Sequence, residues 1–149
     1  MCCCSTPAPG RTGSSCSWGC GREGSRPGQW DTPSGKLMPG ETLEAGMARE
    51  AFEETGLRLD PDELDLVAVT HWHPPDRTAR IGMSFHCTAD PTRHGLPTRR
   101  EPHKCVRQLW APIEDLPQPL LRYTQIGVDL VPDRAPLRRR RLAGSRRPA

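Results

Sequence analysis

The chain has 149 residues, a formal net charge of +3, and 17 prolines and 14 glycines against an aromatic content of only 5%. That length allows one domain with a substantial core and hardly two. The mean hydropathy is −0.67, and no apolar run is long enough for a membrane span or a secretory signal peptide. We therefore expect a cytoplasmic protein with no membrane partner.

The composition divides the chain into three parts. Residues 1–29 form a low-complexity segment of Cys, Ser, Gly, Pro and Arg, which we expect to be disordered or translated out of frame. Residues 30–131 have the composition of a globular domain. Residues 132–149 form a basic tail that we expect to be disordered.

Residues 1–29 contain no apolar stretch that predicts a strand. They contain five cysteines instead, at positions 2, 3, 4, 16 and 20. This spacing matches no defined set of zinc ligands, so a metal or disulfide site is the disfavoured interpretation of these cysteines.

The genetic code suggests an origin for this segment. If its serines use TCN codons, reading residues 13–20 from each third base yields five apolar residues, a glycine, another apolar residue, and Arg or Trp. The same shift turns residues 1–5 into Val-Leu-Leu followed by Leu or Phe. Two apolar strands would then precede the globular domain. We hypothesise that about the first 25 residues are an out-of-frame translation of a GC-rich gene.

The first predicted element of the globular part is a helix over about residues 43–55. Thr42 is a suitable N-cap, and Gly56 stands where a left-handed C-terminal cap would lie. One face carries a narrow apolar stripe that could dock on a sheet. The stripe consists of Ala45, Ala48 and Phe52, with Ala51 at its edge.

Three apolar stretches after this helix predict strands. Residues 64–70 and 81–87, joined by the turn-like residues 74–77, predict a hairpin. Residues 106–112 predict a third strand, and residues 123–131 have the spacing of a helix. The order helix, strand, strand, strand and helix favours an α+β fold.

Three glutamates, Glu50, Glu53 and Glu54, share one face of the predicted helix because they stand at positions i, i+3 and i+4. Like charges at this spacing repel by roughly a few tenths of a kcal/mol per pair, so we expect a cation to bind them. Oxygen ligands favour Mg²⁺ or Mn²⁺. An ordinary acidic surface helix is the alternative interpretation of these three glutamates taken alone.

The glutamates belong to a longer pattern, G-x5-E-x7-R-E-U-x-E-E-x-G-U, where U is an apolar residue. The chain matches it at nine positions within residues 35–57, which outweighs the interpretation as an acidic surface helix. The matching residues are Gly35, Glu41, Arg49, Glu50, Ala51, Glu53, Glu54, Gly56 and Leu57. The pattern resembles the Nudix box.

The resemblance implies an α/β/α sandwich with a mixed sheet, in which the box forms a loop, a helix and a loop. The strands that should precede the box are missing or frame-shifted in the chain as written. The resemblance also implies hydrolysis of a pyrophosphate bond in a nucleoside diphosphate linked to another moiety. The cofactor would be Mg²⁺ or Mn²⁺, and the partner a small nucleotide-type substrate.

The resemblance further implies roles for the box residues. Glu50, Glu53 and Glu54, with the backbone carbonyl of Gly35, would hold the metal. The catalytic residues would be Glu50, Arg49 and Glu53. Glu50 would orient or deprotonate the attacking water, and Arg49 would orient a glutamate through a charge-assisted hydrogen bond. In some members a carboxylate of a later loop takes the role of the base.

Further candidates lie outside this set. Glu41 would brace the loop or contact a water beside the metal. Glu101 precedes the third strand, where a further ligand or base could reach the site, although an exposed loop charge is the simpler interpretation. Lys104 could contact phosphate. His71 and His73 share one strand face and could touch substrate, or be half-buried and inert.

The tail from Pro132 carries seven arginines against one aspartate. Such a run could bind nucleic acid electrostatically, but no aromatic residues are interspersed in it. A solvated tail or a second out-of-frame segment is favoured, so we do not expect a nucleic-acid partner.

Two alternatives to an active enzyme stay open. One is a Nudix-fold module that binds or senses a nucleotide without turnover, against which the intact glutamates argue. The other is a defective product of a frame error, which could not complete its sheet.

Overall fold

The computed structural model describes residues 2–5, 16–21, 28–73, 78–113 and 115–130. For residues 2–5, 16–21 and 112 it describes the backbone alone. The strands are β1 (Cys2–Ser5), β2 (Cys16–Gly21), β3 (Trp30–Asp31), β4 (Asp65–Trp72), β5 (Arg80–Thr88) and β6 (Arg107–Pro112). The helices are α1 (Leu43–Thr55), α2 (Pro91–His94) and α3 (Arg122–Asp129), with a 3₁₀ turn at Pro61–Glu63.

The strands form two three-stranded sheets. In the order β1-β5-β4, β1 runs parallel to β5 while β4 runs antiparallel to it, so this sheet is mixed. In the order β3-β2-β6, both pairings are antiparallel. The predicted hairpin of residues 64–70 and 81–87 is therefore confirmed, and a register shift between Leu66 and Ala68 marks an irregularity in its ladder.

The expectation that residues 1–29 supply no strand is wrong. β1 pairs with β5, and β2 lies between β3 and β6. Strand pairing uses backbone N–H and C=O groups, so a segment without an apolar pattern can form a strand when a partner edge lies beside it. β1 and most of β2 coincide with the stretches that a shifted frame would make apolar. The frame shift itself stays a prediction, as does the division at residues 29 and 131.

Helix α1 begins and ends as its sequence predicts. Thr42 Oγ1 accepts a hydrogen bond from the backbone N–H of Ala45 at 3.2 Å, and Gly56 adopts a φ of 77° at the C-cap. The buried seam of the helix is rotated from the predicted stripe: it includes Ala51, at the edge of that stripe, but otherwise runs through Met47 and Thr55. The predicted residues Ala45, Ala48 and Phe52 are only half-buried.

The core lies between α1 and the sheet that contains β4 and β5. Its buried residues are Met47, Ala51, Leu57, Leu59, Leu64, Leu66, Phe85, Cys87 and Ala89. Glu50 and Glu54 flank the seam of α1 that enters this core, so the carboxylates are held beside a packed surface. No helix in the described part of the chain has the length and apolarity needed to cross a bilayer.

Candidate active site

The loop of residues 34–36 binds two of the three predicted carboxylates through its backbone. The Ser34 N–H donates to Glu54 Oε2 at 3.2 Å, and the Lys36 N–H donates to Glu50 Oε1 at 3.2 Å. Gly35 lies between these two donors. Two hydrogen bonds thus join the loop to the carboxylate face of α1.

Gly35 lies in close contact with the end of the Glu50 side chain. A Cβ on Gly35 would lie 1.7 Å from the carboxyl carbon of Glu50, so this carboxylate would have to move. Glycine lets the backbone and the carboxylate touch. The first glycine of the pattern therefore has a steric role that its sequence position does not reveal.

Arg49 forms hydrogen bonds with three glutamates of the box. Its Nε donates to Glu41 Oε1 at 2.7 Å, and Nη1 donates to Glu50 Oε1 at 2.9 Å and to Glu53 Oε2 at 3.2 Å. Nη2 donates to the Lys36 carbonyl at 3.0 Å. The hydrogen bonds to Glu41 and Glu50 raise the pKa of Arg49, and the bond from Arg49 lowers the pKa of Glu41. One guanidinium thus links Glu41, Glu50 and Glu53 to the loop. Arg49 was predicted to orient a glutamate, and Glu41 to brace the loop or contact a water beside the metal.

Two of the helix glutamates, Glu50 and Glu53, differ in exposure. The side chain of Glu53 is 47% exposed, whereas that of Glu50 is 17% exposed, so Glu50 lies deeper. In the described ranges, no three His, Cys, Asp or Glu side chains form a ready cluster for a metal ion. The donors nevertheless suit a hard divalent cation, because the same short loop holds the carboxylates of Glu50 and Glu54 and such cations prefer oxygen ligands.

A cavity of about 790 Å³ opens beside Glu50. One wall is the loop and helix, with Gly35, Lys36 and Glu50, and the facing wall is the β4–β5 hairpin. Volumes of roughly 300–1,000 Å³ are typical of small-molecule sites. Further lining residues include Asp31, Trp72, Arg80, Lys104 and Tyr123.

Lys104 brings a positive charge to this cavity. Its Nζ donates to Glu101 Oε1 at 2.6 Å. The bond from Lys104 to Glu101 raises the pKa of Lys104, with further contributions from the charges of Glu54 and Glu50. Both residues were predicted near the site. Lys104 lines the cavity, whereas Glu101 contacts Lys104 without lining the cavity.

The two strand histidines lie away from the cavity. The rings of His71 and His73 stack with their centroids 6.4 Å apart, and both residues are exposed. Trp72 lines the cavity instead, because alternate residues of a strand point to opposite faces. The alternation was visible in the sequence, but it could not show which face the cavity occupies. Asp31 and Tyr123 also line the cavity without any signal in the sequence.

The sequence matches the model of the NUDIX domain over residues 16–132, most of the chain. The chain belongs to the Nudix family. The resemblance inferred from the box is thus confirmed. The match also takes in β2, which lies in the segment predicted to be low-complexity.

Relatives of known name are hydrolases and phosphatases. The chain is 33% identical over 94 residues to the human 8-oxo-dGDP phosphatase NUDT18, covering 62% of this chain and 27% of that protein. It is 36% identical over 56 residues to phosphatase NudJ of Escherichia coli K12, covering 38% of this chain and 35% of that protein. Both relatives are named as phosphatases. The chain spans well under half the length of the curated relatives it matches.

Solved structures confirm the α+β Nudix fold. The MutT NUDIX hydrolase from Burkholderia pseudomallei superposes with a TM-score of 0.72 at 25% identity, covering 87% of this chain and 95% of that one. The NUDIX domain of Shewanella oneidensis NrtR, solved with ADP ribose, has a TM-score of 0.68 at 15% identity, with coverages of 87% and 81%. The second likeness bears on the fold alone.

Proposed function

We propose that this chain is a Mg²⁺- or Mn²⁺-dependent hydrolase that cleaves a pyrophosphate bond in a nucleoside diphosphate linked to another moiety. The observation that supports this most directly is the attachment of Glu50 and Glu54 to the loop of residues 34–36 at the wall of a nucleotide-sized cavity. A cytoplasmic location and a small nucleotide substrate, with no nucleic-acid partner, belong to the same proposal.

The metal would be held by oxygen donors of the box. They are the carboxylates of Glu50, Glu53 and Glu54 and the backbone carbonyl of Gly35. When bound, a divalent cation offsets the charge of the phosphates and stabilises the charge that develops on the bridging oxygen. Such oxygen sets suit Mg²⁺ and Mn²⁺ better than softer metals.

Glu50 is the best-placed residue to act on water. It lines the cavity, and the hydrogen bonds it accepts from Lys36 N and Arg49 Nη1 both end on Oε1. Among the described residues these two bonds fix the carboxylate while leaving Oε2 to a cation or to a water. Glu50 would orient the water and accept its proton as the water oxygen attacks phosphorus.

Arg49 and Glu53 would support this step. Nη1 of Arg49 donates to both Glu50 and Glu53, and these hydrogen bonds hold the two carboxylates in place. The guanidinium also separates two like charges, which would otherwise repel. Glu41 completes the brace, because Arg49 Nε donates to Glu41 and the Glu41 carboxylate accepts from the Met38 N–H at 2.8 Å.

Lys104 would meet the phosphates. The Glu101 carboxylate holds the ammonium group at the cavity wall, near enough to Glu50 and Glu54 for their charges to raise the pKa of Lys104. Phosphate oxygens are strong acceptors for such a group. Lys104 would exchange or share its bond to Glu101 when a substrate enters.

The experiment is a hydrolysis screen on the purified chain with Mg²⁺ or Mn²⁺. The panel would include 8-oxo-dGDP and ADP ribose, named with the relatives above, together with nucleotide sugars and dinucleotides. We expect metal-dependent release of a phosphate-containing product from at least one class. Nucleotide binding without any turnover would favour the binding-module alternative and contradict the proposal.

Matched variants separate the site from the fold. Replacing Glu53 and Glu54 by Gln should abolish turnover and leave the circular-dichroism melt cooperative. Glu63→Gln makes the same chemical change at a residue that pairs with Arg93 and His94 outside the cavity, and it should retain activity. The same assays on a chain rebuilt from the shifted frame would test the frame hypothesis. If only the rebuilt chain folds, the chain as written is the defective product.

A further inference from the structure

A buried carboxyl group, Asp31, joins the loop of the box to helix α3. Only 1% of Asp31 is exposed. Thr124 Oγ1 donates to Oδ1 at 2.6 Å, while the Tyr123 hydroxyl donates to Oδ2 at 2.5 Å and Ser34 Oγ donates to Oδ2 at 3.3 Å. Neither the proposed metal ligands nor the proposed water activation involves this group.

The surroundings of Asp31 explain how a carboxylate is tolerated there. An ionised carboxylate loses its hydration on burial and is stable only where donors replace the water. Tyr123 and Thr124 lie in the first turn of α3, whose N-cap residue Leu121 makes no side-chain capping bond. A negative charge beside the N-terminal end of a helix is also favourable.

Backbone bonds fix the same junction. The Leu121 N–H donates to the Trp30 carbonyl at 2.9 Å, and the Trp30 N–H donates to the Pro119 carbonyl at 2.8 Å. The residue before Asp31 is thus tied to the segment that leads into α3. The position of Asp31 is therefore fixed, so its side chain can hold the residues that follow it in the chain.

Ser34 carries this anchoring to the box. Its hydroxyl donates to Asp31, and its backbone N–H donates to Glu54 Oε2 at 3.2 Å. Gly35 follows directly, and the Lys36 N–H holds Glu50. A continuous path of hydrogen bonds therefore runs from the first turn of α3 through Asp31 and Ser34 to Glu54.

We propose that Asp31 is a positioning residue of the site, which acts through Ser34 to set the place of Glu54 and the Gly35 loop. This proposal rests on the proposed function for its kinetic effects, but its effect on metal affinity does not depend on turnover. Partners that orient metal-binding carboxylates affect affinity or activity by roughly 10- to 100-fold when they are removed.

The test uses Asp31→Asn and Ser34→Ala in the full chain, with Mn²⁺ affinity measured by calorimetry and turnover measured on the best substrate of the screen. Each variant should weaken Mn²⁺ binding and lower kcat by ~10-fold, with KM within ~2-fold of wild type. The double variant should resemble either single variant, because both interrupt one path. Ser34 is only half-buried, so Ser34→Ala keeps the test available if Asp31→Asn fails to fold.

Two control pairs sharpen the result. Asp129→Asn makes the same change at an exposed carboxyl group on α3 and should alter neither quantity. Thr124→Val should reproduce the loss while Thr124→Ser restores it, since only the hydroxyl reaches Asp31.

Three outcomes would overturn the proposal. A lower melting temperature with unchanged Mn²⁺ affinity and kcat would mean that Asp31 only stabilises the fold. A raised KM with unchanged kcat and Mn²⁺ affinity would mean that Asp31 contacts substrate from the cavity wall. A wild-type chain without measurable Mn²⁺ binding would refute this proposal and the metal assignment together. If wild type binds Mn²⁺ but hydrolyses nothing, the proposed function fails and the Mn²⁺ affinities alone decide the role of Asp31.

Discussion

The carboxyl group of Glu50 occupies the space that a side chain on Gly35 would need. A Cβ at residue 35 would lie 1.7 Å from Glu50 Cδ and about as close to both carboxylate oxygens. The Glu50 carboxylate can therefore keep this position beside the loop only with glycine at residue 35. Among the described glycines, this is the shortest distance from such a Cβ to a neighbouring atom.

The first prediction concerns Gly35→Ala. The added methyl group should push the Glu50 carboxylate away from the loop, break its bond with the Lys36 N–H, and reduce kcat/KM by ~100-fold. Overpacking of this kind also costs roughly 1–3 kcal/mol of stability. Kinetics and chemical denaturation measure the two effects. Gly35→Ala combined with Glu50→Asp should recover stability without activity, because the shorter side chain vacates the space. An active Gly35→Ala variant would contradict the contact.

The second prediction concerns Arg49→Lys. A lysine keeps the charge but cannot bond Glu41, Glu50, Glu53 and the Lys36 carbonyl from one planar group. We expect kcat to fall by roughly 10- to 100-fold. The Mg²⁺ concentration that gives half-maximal turnover should rise less than it would after the loss of a metal ligand. Arg122→Lys, at an exposed residue of α3, is the matched control and should behave as wild type.

The third prediction concerns Lys104. Lys104→Ala should raise KM by ~10-fold, because it removes one charge-assisted bond to phosphate. Lys104→Arg should keep most of the affinity, and Glu101→Gln should have a smaller effect than Lys104→Ala, since Glu101 only holds the lysine. Steady-state kinetics at two salt concentrations would measure this. Equal KM values for the alanine and arginine variants would contradict the assignment of Lys104 to phosphate binding.

The fourth prediction concerns stability at low pH. The hydrogen bond from Arg93, and then that from His94, lowers the pKa of Glu63 below its ordinary value of 4.5. A lowered pKa in the folded state adds stability above pH 4.5, and this stability is lost as the pH falls through the folded value. Thermal melts of Glu63→Gln should therefore lose less stability between pH 6 and pH 3 than those of wild type. Asp129→Asn serves as the exposed control. Parallel pH profiles for wild type and Glu63→Gln would refute the coupling.

Much of helix α1 was predictable because its determinants are local. The cap at Thr42, the glycine at residue 56 and the i, i+3, i+4 spacing of the glutamates act within a few residues of one another. The buried seam was predictable only in part: Ala51 stood at the edge of the predicted stripe, whereas Met47 is buried in a core cluster that includes the distant strand residue Phe85. β1 and β2 could not be predicted from the residues as written, which show no apolar pattern; only the shifted reading frame placed two strands there, and the structure pairs them with β5 and with β3 and β6.

The proposed metal chemistry of this chain could be predicted from residues 35–57 alone, because that stretch carries the oxygen donors, the arginine between them, the loop glycine and the glycine that caps the helix. How the donors are held, and which residues face them, depends on contacts between distant segments of the chain. Asp31 meets Thr124 across 93 residues of chain, and Trp72 meets the cavity because the hairpin turns that face toward α1. Short-range geometry is set by neighbouring residues, whereas contacts between distant segments depend on how the sheets and helices pack, which no local pattern encodes.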